Sequence, residues 1–544
     1  MISVIVKENS FWNKFVLNNT TVWIKGNINN FNTKELVNLL NKIEEKSLKK
    51  TINAIHGNFA IIIIKENCAI ISVDKIRSIP IFYSCINGLI YVSDHPENIV
   101  QKKSFKKKID KKAINEILMS GYTIGRKTVY ENLNSLISGE MVLIKKNKIE
   151  RIEYFKYFNK ISKLGTKNLL NELTKITINI FSKLISSVNG RQVIIPLSAG
   201  NDSRLVASAL KHLNYKNVIC YSYGRRNSFE VLTAQKIAHK LGFKWVFVPL
   251  YHKKEIAFYK SNEYIDYLKF SETYSSVPYI QSLSTIKYLK EKKLIDDNAV
   301  FINGNSGDFI SGAHTDVLKS SNYSDKSIND RKLKILNSLI DKHYSLWGKE
   351  KTKESTSCLR DELWSEINQF FDKKNKESDH QPFEYSEFIN RQSKYVISGQ
   401  RAYEYYGCDW RLPLWDDEYL FFWSKIPWNL KTNQKLFKDM LKYNNFGGVW
   451  TNDFPVNKLN ITPFWIIPLR FIFKIPFAFF GKKGKSLWHQ FEISFFKYWM
   501  DNTFMIRSVN YFRIIKDIFK KPQNYVSWQA KDYIKDIKNE SSVS

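Results

Sequence analysis

The chain has 544 residues, 43% hydrophobic and 25% charged, which excludes a disordered protein and leaves room for two or more packed domains. Its 84 Lys and Arg against 52 Asp and Glu give a net charge of +32. That excludes an acidic solvating protein and raises nucleic acid, a membrane surface or anionic sugars as partners. The lysines are scattered, and Lys, Ile and Asn abound along the whole chain, so compositional drift is preferred to a dedicated polyanion site. Cys68, Cys85, Cys220, Cys358 and Cys408 are far apart and show no C-x-x-C spacing. Neither a zinc site nor a disulfide framework is implied, and a reducing, cytoplasmic setting fits. The opening MISVIVKENSFWNK lacks the long apolar run and small-residue cleavage site of a signal peptide.

Residues 1–100 alternate short apolar runs with turns: SVIV, TVWIKG, FAIIII, AIISVD, PIFYS and GLIYVSD. Period-2 patterning predicts an antiparallel β-rich unit, with one amphipathic helix at Glu35–Glu45. Phe59–Ile64 is too short to span a bilayer and reads as a buried strand. After the lysine-rich stretch Lys102–Lys112 come a helix near Ile114–Met119 and a hairpin-like pair, then a helix over 165–189. From Gln192 the pattern becomes strand, Gly-containing turn, helix, strand: VIIPLSAGNDSRLVASALKHL, VICYSYG, a helix, then WVFVPL. This alternation predicts a parallel α/β sheet. A further strand, Ala299–Asn303, ends in GNSGD, and beyond about residue 320 the chain reads as mostly helical. Ile461–Phe480 has the length to span, but Arg470, Lys474 and prolines at 463, 468 and 476 interrupt it. It reads first as a Pro-broken packing segment. With the following GKKGK, a peripheral membrane contact through 461–485 is the second reading.

The chemistry concentrates at Ser198-Ala199-Gly200-Asn201-Asp202-Ser203, between a buried strand and an amphipathic helix. Hydroxyls, a glycine and helix N-terminal N–H groups make an anion cradle. Neither a Walker A loop nor a dinucleotide fingerprint is present. The S-x-G-x-D-S pattern resembles the pyrophosphate loop of ATP pyrophosphatases, and an ordinary capped helix is the alternative. Gly304-Asn305-Ser306-Gly307-Asp308 follows a second strand, and ligands of parallel sheets sit beyond such strand ends. Asp202 and Asp308 are then placed to hold Mg²⁺ against triphosphate oxygens. Lys435, after WRLPLWD (410–416), is a candidate to stabilise charge on departing pyrophosphate.

These motifs, in this order, resemble asparagine synthetase and its relatives over most of the chain. SAGNDS (198–203), GNSGDF (304–309), RLPLWD (411–416) and KLFK from Lys435 stand where that family has S-G-G-x-D-S, G-E-G-x-D-E, R-x-P-F-L-D and K-x-x-x-R. HGNFA (56–60) and DKIRSIP (74–80) resemble its glutaminase motifs G-x-F-A and D-R-x-G-x-x-P. The resemblance implies an α/β chain, α+β overall. It would have a β-rich glutaminase-like domain of the N-terminal-nucleophile type at 1–155, then an α/β ATP-pyrophosphatase domain with a helical C-terminal part at 165–544. It also implies ATP and Mg²⁺ as cofactors, and adenine and ribose received near Tyr221, Ser222 and Gly224, beside Ser198, Ala199, Gly200, Asn201, Asp202, Ser203 and Gly304. Lys435, Asp202 and Asp308 would be catalytic.

Departures from the pattern shape the functional expectation. The family's glutaminase nucleophile is a cysteine after the initiator Met, whereas Ile2 and Ser3 stand here, and Met before Ile is normally retained. The first domain therefore reads as glutaminase-like without that activity, with ammonia or a separate glutaminase as nitrogen source. Ala199 replaces a loop glycine, and Asn305 and Phe309 replace two glutamates. An ATP-dependent amide-forming ligase acting on a small-molecule or sugar carboxylate is expected, with surface-polysaccharide uronic acids as one acceptor class. A non-catalytic binding protein of the same fold is the alternative. A nucleic-acid partner, as in tRNA-modifying pyrophosphatases, is not favoured. Glu230, Ala234, Ala238 and Leu241-Gly242 follow the family's helix spacing, read as core packing. Arg391, Arg401 and Arg411 are candidate anion binders that read first as structural ion pairs. His314 is a candidate acid–base group.

Overall fold

The computed structural model describes residues 2–6, 11–145, 148–456 and 463–542. Met1, and with it the expectation about Met retention, lies outside the described residues, as do residues 461–462 of the apolar segment. Among the described residues, ten strands build the N-terminal unit: β1 (Ile2–Val4), β2 (Trp12–Leu17), β3 (Thr20–Ile28), β4 (Gly57–Ile64), β5 (Cys68–Val73), β6 (Phe82–Ile86), β7 (Leu89–Ser93), β8 (Asn134–Ser135), β9 (Glu140–Lys145) and β10 (Lys148–Glu153). They form a six-stranded sheet of order β10-β9-β5-β4-β3-β2 and a four-stranded sheet of order β1-β7-β6-β8.

Side-chain alternation explains why FAIIII is apolar throughout. Phe59, Ile61 and Ile63 on one face of β4 pack with Leu36, Val37 and Leu40 of helix α1 (Thr33–Asn41). Ala60 and Ile62 on the other face pack with Tyr83, Ile90 and Val92 of the second sheet. A strand covered on both faces carries no polar alternation. Asn32 starts α1 by accepting the Glu35 N–H at 2.9 Å, and Glu35 accepts the Asn32 N–H at 3.2 Å.

The second unit holds a parallel five-stranded sheet of order β13-β12-β11-β14-β15, from β11 (Val193–Pro196), β12 (Val218–Gly224), β13 (Lys244–Pro249), β14 (Val300–Ile302) and β15 (Asp409–Arg411). The order reverses at β11, so a crevice opens beyond the carboxyl ends of β11 and β14. Parallel pairing of Ile194 with Phe301 brings the two strand-end loops level. Helix α2 (Asn201–His212) follows β11, and α3 (Phe229–Leu241) follows β12. Mostly helical chain follows residue 320, as expected from sequence, ending in the hairpin of α4 (Ile466–Ala478) and α5 (Gly481–Phe495) and the terminal helix α6 (Tyr525–Ser542).

The two units share one core cluster, running from Ile76 and Phe82 through Ile194 and Phe301 to Ile537. The DKIRSIP loop is one of its joints. Buried Asp74 accepts N–H groups of Phe59, Ile76 and Ser78, and burial lifts its carboxyl to about 6. Arg77, φ +57°, donates to the Leu136 carbonyl at 2.8 Å and the Ser135 hydroxyl at 2.8 Å. Burial, with Arg401 nearby, lowers its guanidinium to about 9. Lys75 crosses to Asp417 at 2.8 Å. This glutaminase-like motif therefore fastens one domain to the other. Among the described residues, no helix is long and apolar enough to cross a membrane.

Candidate functional site

The loop after β11 is held by its own hydroxyls. Ser203 Oγ accepts the Ser198 N–H at 3.0 Å, and Ser198 Oγ accepts the Gly200 N–H at 3.1 Å. Buried Arg204 donates to the Ala199 carbonyl at 2.6 Å and the Phe454 carbonyl at 2.7 Å, with its guanidinium 5.2 Å from the Trp450 ring centre. Burial pushes Arg204 down to about 10, so it stays a cation and holds the Ala199 carbonyl by a hydrogen bond. Gly200 occupies the N-cap of α2 without a side-chain cap. The first-turn N–H groups and the positive end of the helix thus face the crevice, an arrangement suited to phosphate oxygens.

The second loop presses directly on the first. The Asp308 N–H donates to Asp202 Oδ2 at 3.0 Å. A Cβ at Gly304 would stand 2.6 Å from the Asp202 carbonyl carbon, and one at Gly307 would stand 2.5 Å from Asp202 Cγ. Both glycines are required by this contact rather than by backbone conformation. The crevice is a cavity of about 530 Å³ whose walls include Ser198–Ser203, Ser222, Asn303–Ser306 and Asp308.

Behind Asp308 runs a polar chain. His314 Nε2 lies 3.2 Å from Asp308 Oδ2, and its Nδ1 contacts Glu387 Oε1 at 2.5 Å. Glu387 Oε2 meets His343 Nε2 at 3.0 Å, and its Oε1 also accepts from Gln392 at 2.8 Å. Burial opposes charge on His314, but Glu387 and Asp308 outweigh it and hold the imidazole up at about 9. Burial drives His343 down to about 4 despite Glu387. Burial would raise Glu387 and Asp308, yet the histidines hold Glu387 well below the ordinary carboxylate value and His314 holds Asp308 below it. The result is a near-neutral relay: two carboxylates balanced by His314 and by Arg391, which lies 3.4 Å from Glu387.

The ligand atoms of His314, His343 and Glu387 lie within 4.8 Å of one another, a spacing that suits a metal ion. Glu387 is already saturated by four donors, however, so the cluster reads as a support that fixes Asp308. Asp308 itself, 51% exposed, is the member that opens onto the cavity. With Asp202 it supplies hard carboxylate oxygens of the kind Mg²⁺ prefers.

Ser198 to Ser203, Ser222, Gly304 and Asp308 all line the cavity, as the motifs imply. Three expected positions fall elsewhere. Tyr221 is fully buried and belongs to the core; its strand neighbour two residues on, Tyr223, reaches the wall. Gly224 (φ +113°) is not a wall residue: a Cβ there would stand 2.6 Å from the Asn502 carbonyl oxygen. Lys435 is exposed at the first position of its helix, and Gln434 beside it lines the cavity instead.

Arg401 pairs with Glu404 at 2.8 Å and Arg411 with Asp409 at 2.7 Å, so both are structural. Phe309 is 1% exposed and stacks on Trp415 at 5.8 Å, so this position serves the core. Asn305 stays in the wall. Ala234, Ala238 and Leu241 are core, whereas Glu230 lines the cavity. Tyr279, Gln281, Tyr403, Asn502 and Thr503 also line it. They come from distant segments without a local motif, so sequence reasoning had no signal for them.

The fold and site define the class: a β-rich amidotransferase-like domain joined to an α/β domain with a cavity at its strand ends. Residues 23–155 match the family model for a glutamine amidotransferase domain, and residues 187–443 match that for asparagine synthase. The chain is thus similar, in this order, to a glutamine amidotransferase domain and to asparagine synthase. No curated protein matches the chain. Two similar solved structures are the allosteric regulatory enzyme of purine biosynthesis, at 11% identity over 53% of this chain and 56% of that one, and glutamine phosphoribosylpyrophosphate amidotransferase from B. subtilis with ADP and GMP, at 9% over 53% and 62%. This chain thus spans little more than half the length of each, and both TM-scores are 0.19, too low to inform the site.

Proposed function

We propose that the protein activates a substrate carboxylate as an acyl-adenylate, releasing pyrophosphate, and that an amine then displaces AMP to form an amide. The observation that carries this reading is the Asp202–Asp308 contact beneath the uncapped N-terminus of α2. Triphosphate oxygens would meet the N–H groups of the Ser198–Ser203 loop. Asp202 and Asp308 would hold Mg²⁺, which when bound neutralises phosphate charge. His314 and Glu387 keep Asp308 ionised and in place. Lys435 sits beside the wall residue Gln434, and we assign its long side chain to the departing pyrophosphate.

Tyr223, Tyr279 and Tyr403 on the wall favour a ring-bearing acceptor, and a uronic acid of a surface polysaccharide meets that description. We assign the nitrogen to ammonia or a separate glutaminase, because the two cysteines of the first domain, Cys68 and Cys85, both lie within strands. Reduced cysteines throughout and the use of ATP favour a cytoplasmic site of action. The test is carboxylate-dependent exchange of labelled pyrophosphate into ATP. Exchange that needs both Mg²⁺ and an acceptor, and is lost in Asp202→Asn, supports the reading. Exchange indifferent to Asp202, or absent with every carboxylate while ATP still binds, favours a binding role.

A further inference from the structure

The hairpin of α4 and α5 carries an apolar face that is exposed among the described residues. Its inner side is a small core of Ile466, Trp488 and Phe496, with Leu469, Phe477 and Phe491 packed on it. Arg470 is paired inward with Glu492. Gly484 allows the two helices to cross closely, since a Cβ there would meet the Phe477 carbonyl.

The outer side is different. Ile467, Phe471, Ile472 and Ile475 of α4 are 39%, 71%, 60% and 59% exposed, and with Phe479 just beyond they fall within an arc of roughly 140° on a helix of 3.6 residues per turn. Phe464, Phe479 and Phe480 are 91%, 83% and 63% exposed at the two ends of this stripe. A helix apolar on nearly every side is normally buried in a core or in lipid, and this one buries one side and exposes the other. Contiguous exposed apolar surface of this extent marks an interaction site.

Charge selects the partner. Residues 463–495 contain Arg470, Lys474, Lys482, Lys483 and Lys485 against one acid, Glu492, which pairs with Arg470 and leaves the four lysines as the net charge. Lys474 flanks the stripe, and Lys482, Lys483 and Lys485 stand exposed at the tip beside Phe479 and Phe480. Aromatic side chains next to lysines, on a helix too short to cross a bilayer, are the pattern of an interfacial anchor. We propose that this hairpin docks the protein on an anionic lipid bilayer, with the outer face of α4 in the headgroup–acyl boundary and the tip lysines on lipid phosphates. The anchor is rooted at the candidate site: Arg225, which follows β12, donates to the Trp499 carbonyl, and Asn502 and Thr503 line the cavity.

The test uses the full chain and co-sedimentation with phosphatidylcholine vesicles, with and without phosphatidylglycerol. The protein should pellet with the anionic vesicles, and added salt should weaken it. Two paired variants, Phe471→Ser/Phe479→Ser and Lys482→Glu/Lys483→Glu, should each lower the partition coefficient by about tenfold or more. All four positions are exposed, so circular dichroism and melting should match the parent. Three results would each overturn the proposal: no partition into either vesicle, partition unchanged by both variant pairs, or lipid-free self-association removed by the phenylalanine pair without vesicle binding. None of these readouts depends on the ligase reaction, so the anchor and the proposed function can fail independently.

Discussion

Gly307→Ala tests whether the two strand-end loops act as one unit. An ideal Cβ at Gly307 lies 2.5 Å from Asp202 Cγ, 2.6 Å from Asp202 Oδ1 and 2.7 Å from Leu414 Cδ1. Carbon contacts are comfortable only near about 3.5–4.0 Å, so roughly 1 Å must be found. Leu414 can turn, but the Asp202 carboxylate is tied by the Asp308 N–H at 3.0 Å. Moving it weakens a hydrogen bond to a charged group, and such bonds contribute about 1.5–3 kcal/mol. Overpacking adds about 1–3 kcal/mol, so a stability loss of about 2.5–6 kcal/mol is expected by denaturant titration. A reacting centre misplaced by about 1 Å loses on the order of 10²-fold in rate, so Mg²⁺-dependent ATP turnover should fall by that factor. Gly165→Ala is the control, since a Cβ there meets nothing within 4 Å. Parental turnover and stability in Gly307→Ala would refute the claim that close approach of the loops organises the site.

Other expectations follow from buried charge. Lys431 and Glu384 pair at 2.7 Å with side chains 0% and 3% exposed. Lys431→Met should cost about 3–5 kcal/mol by leaving Glu384 buried alone, and Lys431→Met/Glu384→Leu should recover most of it in the same titration. Arg204→Met frees the Ala199 and Phe454 carbonyls; Mg·ATP affinity should drop about tenfold, and calorimetry showing none would separate Arg204 from the loop. Burial lifts Glu272 from its ordinary 4.5 to about 7, against hydrogen bonds from Tyr533, Tyr274 and Thr273. A raised folded-state pKa means its stabilising contribution is complete below 4.5 and is lost as pH climbs through 7. Over that window the loss is about 3 kcal/mol, and Glu272→Gln should flatten the fall in melting temperature between about pH 5 and pH 8.

The strand-end loops were legible from sequence because their chemistry is local: a strand, a Gly-containing turn and a helix N-terminus lie in one continuous segment. The parallel sheet was legible for the same reason, and so was the burial of the strand at Phe59–Ile64. The relay behind Asp308 was visible only as His314, since Glu387 and His343 come from separate helices and meet through tertiary packing. Tyr221 and Tyr223 share a strand face, and only the strand's depth in the sheet decides which of them reaches the cavity. Phe309 read from sequence as a lost glutamate, whereas its contact with Trp415 shows an aromatic core position. The 461–485 segment was read as packing first and membrane contact second. Its described helix packs along one side, while the opposite side is solvent-exposed.

The most direct test of the account is the product of ATP cleavage. Purified full-length protein with Mg²⁺, ammonium and a panel of carboxylates, including aspartate and nucleotide-linked hexuronates, would be followed by phosphorus NMR. The account predicts acceptor-dependent AMP and pyrophosphate in equal amounts, with neither formed by Asp202→Asn. Release of ADP and phosphate, or AMP formation that ignores both acceptor and Asp202, would contradict it.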